Sequence, residues 1–233
     1  PRSGHESPRG HLPPRPRLSD MGQSWYDRYC LSPGIDKLCG GPEVMKLRAE
    51  VVPLAEGTVL ELGLGSGLNL AFYDPQRVTK VLGVDPGIAL TDLAQARMAA
   101  APVPVELLSI SGEALPQADQ SIDTVLTTFT LCTIPNVYAA LREARRVLKP
   151  GGKLVFLEHG LAPEPTVARW QRRLNPLWGA LAGGCQLIRD PKALLEEAGW
   201  RIEDAHHEVG YGMPGPRVLT YLYRGVARPL GRA

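Results

Sequence analysis

Residues 59–70, VLELGLGSGLNL, place three glycines within five positions directly after an apolar run. Glycine loses more conformational entropy on folding than any other residue, so a cluster of this kind requires a physical reason. One reason is a tight turn that is rich in glycine. The other is a ligand that approaches the backbone so closely that no side chain fits between them. The surrounding sequence favours the ligand.

The composition of the 233-residue chain is that of one globular domain. Hydrophobic residues make up 44% and charged residues 21%, which are ordinary values. The formal net charge of +2 is too small to favour nucleic acid or an anionic membrane as a partner. We expect a small-molecule substrate, no nucleic-acid partner, and a monomer or a homodimer, with peripheral membrane contact left open.

The four cysteines are far apart and form neither a C-x-x-C pair nor a zinc-like pattern with histidine: they are Cys30, Cys39, Cys132 and Cys185. This distribution favours reduced thiols in a cytoplasmic protein over a disulfide framework. His206 and His207 fall on opposite faces of a predicted strand, so they do not form a metal pair. The sequence predicts no metal site, and Cys132 and Cys185 are interpreted as small apolar packing residues.

Residues 1–20, PRSGHESPRGHLPPRPRLSD, contain five prolines and no aromatic residue. Such a segment buries too little apolar surface to offset the entropy lost on ordering. We interpret it as a disordered leader or a tail added for expression, with Met21 as a natural start, and residues 21–233 as one domain. No stretch approaches the ~20 apolar residues of a membrane helix, and no signal peptide is recognised.

Short β-rich runs alternate with helical patterns from residue 57 onward. Strands are predicted at 57–62, 78–85, 104–110, 121–130, 153–159, 200–209 and 217–227. Helices are predicted from about Leu68 and at 88–101, 137–148 and 191–199. This alternation implies parallel strands joined by right-handed crossovers. The last two strands are separated only by residues 210–216, so they are predicted to pair antiparallel.

The predicted fold is therefore a doubly wound α/β fold: a mostly parallel, seven-stranded sheet with an antiparallel last strand. In such sheets ligands bind beyond the carboxyl ends of the strands. Gly63, Gly65 and Gly67 follow the first strand, where missing side chains expose backbone N–H groups. Asp85 ends the second strand about twenty residues further on, where a carboxylate can accept the hydroxyls of an adenosine ribose. Leu68 stands where a dinucleotide fingerprint has glycine, which disfavours a dehydrogenase.

Four stretches resemble the successive motifs of class I S-adenosylmethionine-dependent methyltransferases: VLELGLGSG, VLGVDP, SGEALPQADQSIDTVL and REARRVLKPGGKLVFLEHG. They are most similar to the methyltransferase type 11 and ubiquinone-methyltransferase-like group. The resemblance covers residues 57–160 and then the terminal strands. It implies a Rossmann-like methyltransferase with S-adenosyl-L-methionine as cofactor and S-adenosyl-L-homocysteine as product.

The resemblance implies that the glycine loop wraps the methionine portion of the cofactor and that Asp85 holds the ribose. Gly112 and Glu113 would lie against the adenine edge, or residues 112–116, GEALP, would form only a loop. Many relatives have aspartate where Ser111 stands. Thr127 and Thr128 would face the sulfonium or be ordinary strand residues. The implied cofactor contacts are Tyr26, Glu61, Gly63, Leu64, Gly65, Gly67, Asp85, Pro86, Gly112, Glu113, Thr127 and Thr128.

Two added segments are candidates for substrate recognition. Residues 21–56 are predicted to form an N-terminal helical lid, or simply helices packed on the domain, and Tyr29 is a candidate substrate contact there. Residues 163–190 form an apolar insertion that makes an acceptor pocket or only covers the core. Its candidate substrate contacts are Trp170, Trp178 and Cys185. At its end, Arg189 and Asp190 are expected to pair with each other.

TLCTIPN, LEHG and NPLWGALAGGCQLIRD are similar to the methyltransferase-like family 7 proteins, which are thiol S-methyltransferases. The resemblance implies a small lipophilic thiol as acceptor. Those relatives carry an N-terminal membrane-anchoring segment that is not recognised here, so their lipid-droplet or endoplasmic reticulum association is not carried over.

His159 is the best-placed candidate base or acceptor-orienting group, or else a structural histidine. Several functions remain open beside the methylation of a thiol. They are a phospholipid or amine N-methyltransferase, a quinone-type C-methyltransferase, and a regulatory module that binds the cofactor without transferring the methyl group.

Overall fold

A computed structural model of the chain describes residues 32–86, 92–203 and 208–231. Within these ranges it contains eight β-strands and six α-helices. The predictions for Tyr26, Tyr29, His206 and His207, and for residues 1–20, lie outside the described residues.

The strands are β1 (Gly57–Leu62), β2 (Val78–Val84), β3 (Val105–Leu108), β4 (Ile122–Thr128), β5 (Leu148–His159), β6 (Trp200–Ile202), β7 (Glu208–Tyr211) and β8 (Tyr221–Pro229). The helices are α1 (Ser32–Cys39), α2 (Pro42–Val51), α3 (Asp92–Ala99), α4 (Val137–Val147), α5 (Pro165–Leu181) and α6 (Pro191–Glu197).

The strands form one sheet in the order β3-β2-β1-β4-β5-β8-β6, with β7 also paired to β8. Strands β1 to β5 run parallel, whereas β8 runs antiparallel to β5, β6 and β7. The doubly wound, mostly parallel sheet with an antiparallel last strand is confirmed. The strand order reverses between β1 and β4, which places a ligand crevice at their carboxyl ends.

The sheet has eight strands rather than seven because the strand predicted at 200–209 is divided into β6 and β7. Ile202 pairs with Ala227, and continuing that antiparallel register would bring residue 206 opposite Tyr223. Instead Glu208 pairs with Tyr223, so the register with β8 shifts by two residues between β6 and β7. Local sequence pattern does not reveal such a register shift. The last strand begins at Tyr221, because residues Arg217–Leu219 form a 3₁₀ turn.

The helix predicted from Leu68 is absent from the described chain, and a single 3₁₀ turn, Leu70–Phe72, stands in its place. Pro75 follows closely and disfavours helical backbone at the residue before it. The glycine loop is therefore followed by a turn and not by the N-terminus of an α-helix.

The strand predicted at 153–159 begins earlier, at Leu148, and includes the KPGG segment of residues 149–152. Gly151 there has φ +80°, and the register with β4 shifts between Ile122 and Thr124. Helix α4 matches its prediction. Its apolar stripe is buried, and the Asn136 side chain caps it by accepting a hydrogen bond from the Ala139 N–H at 3.1 Å.

The apolar core lies on both faces of the sheet, as a parallel sheet requires. Along β1, Leu60 and Leu62 pack on the face that carries Phe156 and Trp200. Val59 packs on the opposite face. None of the described helices is long and apolar enough to cross a bilayer.

Candidate active site

The glycine loop after β1 has a backbone conformation that side chains rarely adopt. The φ angle is +73° at Gly63, +53° at Gly65 and +79° at Gly67. The Gly63 N–H donates to the Val84 carbonyl at 2.8 Å, which ties the start of the loop to the end of β2. Left-handed backbone is thus one reason for glycine at these positions.

The space around these glycines supplies a second reason. A Cβ added at Gly63 would lie 2.2 Å from Thr130 Oγ1, and one at Gly67 would lie 2.9 Å from Leu70 Cδ1. A Cβ added at Gly65 would meet no other described atom within 4 Å. Packing therefore requires glycine at Gly63, whereas a side chain at Gly67 would displace the end of the Leu70 side chain and Gly65 faces open space.

Asp85 lies beside this open position. Its Oδ2 accepts a hydrogen bond from the Gly65 N–H at 3.0 Å, although the two residues are 20 positions apart. The Asp85 side chain is only partly buried, and Pro86 after it is exposed. The fold therefore brings together the glycine loop and the carboxylate that the sequence predicted for a ribose.

Two helices hold the loop from its other side. Ser66 Oγ donates to the Asp36 carboxylate of α1, and Arg97 Nη1 of α3 donates to the Ser66 carbonyl at 3.0 Å. Arg97 and Asp36 also form an ion pair with an N–O distance of 2.6 Å. The hydrogen bond from Arg97 is the main reason why the pKa of Asp36 is lowered. The loop is thus clamped by an ionised pair.

Glu61 lies beneath the loop and is 1% exposed. Its carboxylate accepts hydrogen bonds from Asn69 Nδ2 at 2.8 Å and from Tyr73 OH at 2.6 Å. Burial raises the pKa of Glu61 to about 7, although these bonds oppose the rise. Asn69 and Tyr73 lie in the segment after the glycines, so these bonds tie that segment to β1 beneath the loop.

Arg48 of α2 completes this buried network and is 3% exposed. Its Nη1 donates to Asn69 Oδ1 and, at 2.8 Å, to Thr128 Oγ1. Asn69 Nδ2 also donates to Thr128 Oγ1 at 2.9 Å. Burial lowers the pKa of Arg48, while the nearby Glu61 opposes that shift. The network joins a helix before the sheet to the ends of β1 and β4.

The side chains of Leu64 and Glu113, both predicted to contact the cofactor, are engaged by other residues of the protein. Leu64 is 3% exposed and packs against Gly83, where an added Cβ would lie 2.8 Å from it. Glu113 Oε1 accepts a hydrogen bond from the Asn136 N–H at 2.6 Å, at the start of α4. Gly112 packs on Leu62, 3.0 Å from an added Cβ. Because its side chain is buried, Leu64 could contact a cofactor only through its backbone atoms.

Thr127 and Thr128 end β4 with both side chains engaged by other residues. Thr128 Oγ1 accepts the two bonds of the buried network, whereas Thr127 Oγ1 donates to Glu158 Oε1 at 2.7 Å. Glu158 also accepts bonds from the N–H groups of Thr130 and Leu131. Burial raises the pKa of Glu158 to about 7 against these bonds. These two threonines therefore fix the loop after β4.

Phe129 begins that loop with a φ of +55°, which is unusual for a bulky side chain. The Arg48 guanidinium lies 5.3 Å from the centre of its ring. This backbone reversal turns the N–H groups of Thr130 and Leu131 back towards Glu158. Strained residues of this kind cluster at functional sites, so the observation is consistent with a site here.

His159, the last residue of β5, contacts the predicted insertion. Its Nε2 lies 2.9 Å from Cys185 Sγ, and Trp178 Nε1 donates to the same sulfur at 3.3 Å. Hydrogen bonds from Cys132 and then from His159 lower the pKa of the Cys185 thiol, although burial opposes this. Burial alone would lower the pKa of His159, but Cys185 raises it overall. The sequence had placed Trp178, Cys185 and His159 near the acceptor, and the fold brings these three together.

Trp170 does not join this group. It is 50% exposed, and the Arg173 guanidinium lies 5.4 Å from the centre of its ring. Trp170 lies on the solvent-exposed side of α5. The sequence shows that Trp170 is apolar but not which side of the helix packs against the domain.

The expected pair of Arg189 and Asp190 is replaced by separate contacts. Asp190 caps α6 by accepting from the N–H groups of Lys192 and Ala193, and Arg189 donates to the Leu131 carbonyl. Arg189 therefore ties the insertion to the loop after β4.

Comparison with known proteins assigns the family. A family model described as a methyltransferase domain matches residues 60–156. The rat thiol S-methyltransferase TMT1B is 40% identical over 147 residues, 61% of this chain and 59% of its own length. The human thiol S-methyltransferase TMT1A is 35% identical over 180 residues, 72% of this chain and 71% of its own length. The chain belongs to the class I S-adenosylmethionine-dependent methyltransferases.

A solved structure supports the fold of this methyltransferase. It is a Burkholderia thailandensis 1,6-didemethyltoxoflavin-N1-methyltransferase crystallised with 1,6-didemethyltoxoflavin and S-adenosylhomocysteine. The two structures have a TM-score of 0.61 and 14% sequence identity, and the match covers 95% of this chain and 94% of the other. Quinone-biosynthesis C-methyltransferases also match the sequence. The chain spans less than two thirds of the length of the rat relative.

The crevice of this methyltransferase fits the cofactor of its family. Gly65 leaves open space where a side chain would otherwise stand, and its N–H points to the Asp85 carboxylate at the rim. Main-chain groups of the loop and one partly exposed carboxylate suit an amino-acid moiety and a ribose diol. The residues that would hold the cofactor are those of the glycine loop together with Asp85.

Sequence reasoning missed the residues that hold the site in place. Arg48 and Tyr73 lie outside the quoted motifs, whereas Asn69 and Glu158 lie within them but were assigned no supporting role. Arg48 donates to a residue 80 positions away, and Glu158 accepts from one 31 positions away. Buried charged and polar side chains are paired, but the sequence does not show with which partner.

Proposed function

We propose that this protein transfers a methyl group from S-adenosylmethionine to the sulfur of a small apolar thiol. The observation that carries the proposal is the placement of Gly65 and Asp85 at the strand-order reversal, with Gly65 open to the crevice. The choice of a thiol is supported by the relatives named thiol S-methyltransferases.

The acceptor is proposed to lie at the carboxyl ends of β4 and β5, where the loop after β4 meets the insertion. When bound, the cofactor supplies an electrophilic methyl carbon, which a thiolate attacks in line while the carbon–sulfonium bond breaks. Such a displacement depends mainly on alignment of the reacting groups. His159 and Trp178 are proposed to orient the acceptor because both reach the same small region around Cys185.

A quinone-type C-methyltransferase is the second candidate function, and the match to quinone-biosynthesis enzymes is the observation that favours it. A carbon acceptor requires a base that removes a proton from carbon or an adjacent hydroxyl group. The two functions therefore differ in the chemical class of acceptor and not in the cofactor crevice.

A turnover screen with cofactor labelled in its methyl group tests the proposal. We expect label transfer to lipophilic thiols at a rate at least ten times that to matched phenols, amines, quinols and phospholipids. A thiol deprotonates more readily than the corresponding alcohol and is a stronger nucleophile near neutral pH. Preferential labelling of quinols would establish the second candidate instead.

Asp85→Ala is expected to weaken binding of S-adenosylhomocysteine by about 5- to 150-fold. The carboxylate would accept two ribose hydroxyls, and charged hydrogen bonds of this kind contribute about 1–3 kcal/mol. Calorimetry measures the affinity. Asp119→Ala is the matched control, because it removes a carboxylate paired with Arg146 ahead of β4, at the other edge of the sheet. Equal affinities of wild type and Asp85→Ala would show that the ribose lies elsewhere.

A further inference from the structure

Three soft ligand atoms converge at the acceptor side of the site. They belong to Cys132, His159 and Cys185, and all lie within 4.8 Å of one another. Cys132 comes from the loop after β4, His159 from the end of β5, and Cys185 from the segment after α5. The sequence predicted no metal site, because three residues from separate segments show no ligand spacing.

The backbone holds these three residues in place. His159 pairs with Leu222 of β8, which fixes it in the sheet. The Gln186 N–H donates to the Cys132 carbonyl at 3.0 Å, so the segments that carry the two cysteines are joined directly. This arrangement does not require the chain to reorganise in order to bring the ligands together, which favours binding.

The cluster is largely shielded from water, which favours a soft cation held by sulfur and nitrogen. Cys132 is 3% exposed and Cys185 is 8% exposed, so water has little access to either sulfur. The Trp178 N–H donates to Cys185 Sγ, as a neighbour that orients a thiolate ligand would do. Two cysteines and one histidine are ligands that zinc prefers.

The distances also suit zinc. A tetrahedral ion with bonds of about 2.3 Å to sulfur and about 2.0 Å to nitrogen holds its ligand atoms roughly 3.5–3.8 Å apart. The present separations lie within 4.8 Å, and that from His159 Nε2 to Cys185 Sγ is 2.9 Å. To reach these distances the His159–Cys185 separation must widen by about 0.6 Å and any longer separation must shorten by at most about 1.3 Å, which rotations of the three side chains can supply.

We propose that Cys132, His159 and Cys185 bind one zinc ion and leave its fourth position open to the acceptor thiol. Three protein ligands with an open position are the pattern of catalytic rather than structural zinc. The incoming thiol binds zinc as a thiolate and releases its proton to solvent. Its sulfur then forms a bond to the methyl carbon as the sulfonium–carbon bond breaks, giving a methyl thioether and S-adenosylhomocysteine. This role of the ion rests on the proposed function, whereas the binding site itself does not.

The site is tested by titrating metal-stripped full-length protein with Co²⁺ and Zn²⁺. The reductant is a phosphine, because a thiol reductant would occupy the open position. We expect one equivalent of Co²⁺ to bind with a sulfur-to-cobalt charge-transfer band that one equivalent of Zn²⁺ abolishes. Cys132→Ser, Cys185→Ser and His159→Gln are each expected to weaken binding at least 100-fold.

Cys39→Ser is the matched control, because Cys39 is a free cysteine outside the cluster and this variant is expected to keep one equivalent of metal. Circular dichroism of each variant checks that the fold is retained. Absence of saturable binding to the wild type, or unchanged binding in both Cys132→Ser and His159→Gln, would overturn the site.

The role of the ion is tested separately from the site. We expect metal-stripped protein to bind S-adenosylhomocysteine normally but to methylate thiols at least ten times more slowly, with recovery on adding one equivalent of Zn²⁺. Full thiol methylation without metal would overturn the activating role and leave the proposed function standing. One equivalent of bound metal in a protein that methylates no thiol would overturn the proposed function and leave the site standing.

Discussion

Gly65→Ala is expected to leave the protein folded while weakening its binding of S-adenosylhomocysteine at least 100-fold. The added methyl group meets no other described side chain or backbone atom within 4 Å, and φ at this position is +53°. Left-handed backbone costs a non-glycine residue about 1–2 kcal/mol, which most folded domains tolerate. The methyl group would project into the space where the cofactor must approach the main chain. The loss therefore falls on affinity rather than on folding.

Gly151→Ala is the matched control for this variant. Gly151 also has a positive φ, +80°, and an added Cβ there has no described neighbour within 4 Å. It lies near the start of β5, at the edge of the sheet opposite the crevice. We expect both variants to lose a similar amount of unfolding free energy in chemical denaturation, with only Gly65→Ala losing affinity in calorimetry. Unchanged affinity in Gly65→Ala would mean that the glycines serve a tight turn and nothing more.

Features that depend on a few neighbouring residues were predictable from sequence. The glycine loop, the strand before it and the apolar stripe of α4 each follow from a pattern within about a dozen residues. The joining of Asp85 to this loop was also predictable, because adjacent parallel strands end at the same edge of a sheet. These features set the position of the crevice.

Features that depend on distant partners were not predictable. Arg48 donates to Thr128, 80 residues further on, and Cys185 meets His159 across 26 residues. The register shift between β6 and β7 is seen only in their pairing with β8. Pairings of this kind are decided by tertiary packing, which overrides local preference. This is why the sequence indicated the glycine loop and Asp85, while the residues that support them were missed.

Arg48→Met is expected to lower the free energy of unfolding by about 3–5 kcal/mol. Removing one partner of a buried charged network leaves the other charge without compensation, which costs about this much. Here the group left behind is Glu61, joined to Arg48 through Asn69. Methionine has a similar length and fills the space, so the loss reports on charge and hydrogen bonding rather than on a cavity. Chemical denaturation followed by circular dichroism measures it.

The pH dependence separates this electrostatic loss from a general packing defect. The pKa of Glu61 is about 7 in the fold against 4.5 ordinarily, so the folded state binds more protons between these values. Its contribution to stability is therefore lost as pH rises through this window. Arg48 lowers the pKa of Glu61, so removing Arg48 raises that pKa further and extends the loss to higher pH. We expect the deficit of Arg48→Met to be larger at pH 8 than at pH 5.

Arg77→Met is the control for this second prediction. Arg77 forms an ion pair with Glu56 in which the arginine side chain is 43% exposed. Exposed pairs contribute about 0–1 kcal/mol, so this variant is expected to lose no more than that at either pH. A deficit for Arg48→Met that matches the control, or one that does not grow from pH 5 to pH 8, would show that Arg48 does not compensate Glu61. In that case Glu61 would be stabilised only by its hydrogen bonds with Asn69 and Tyr73.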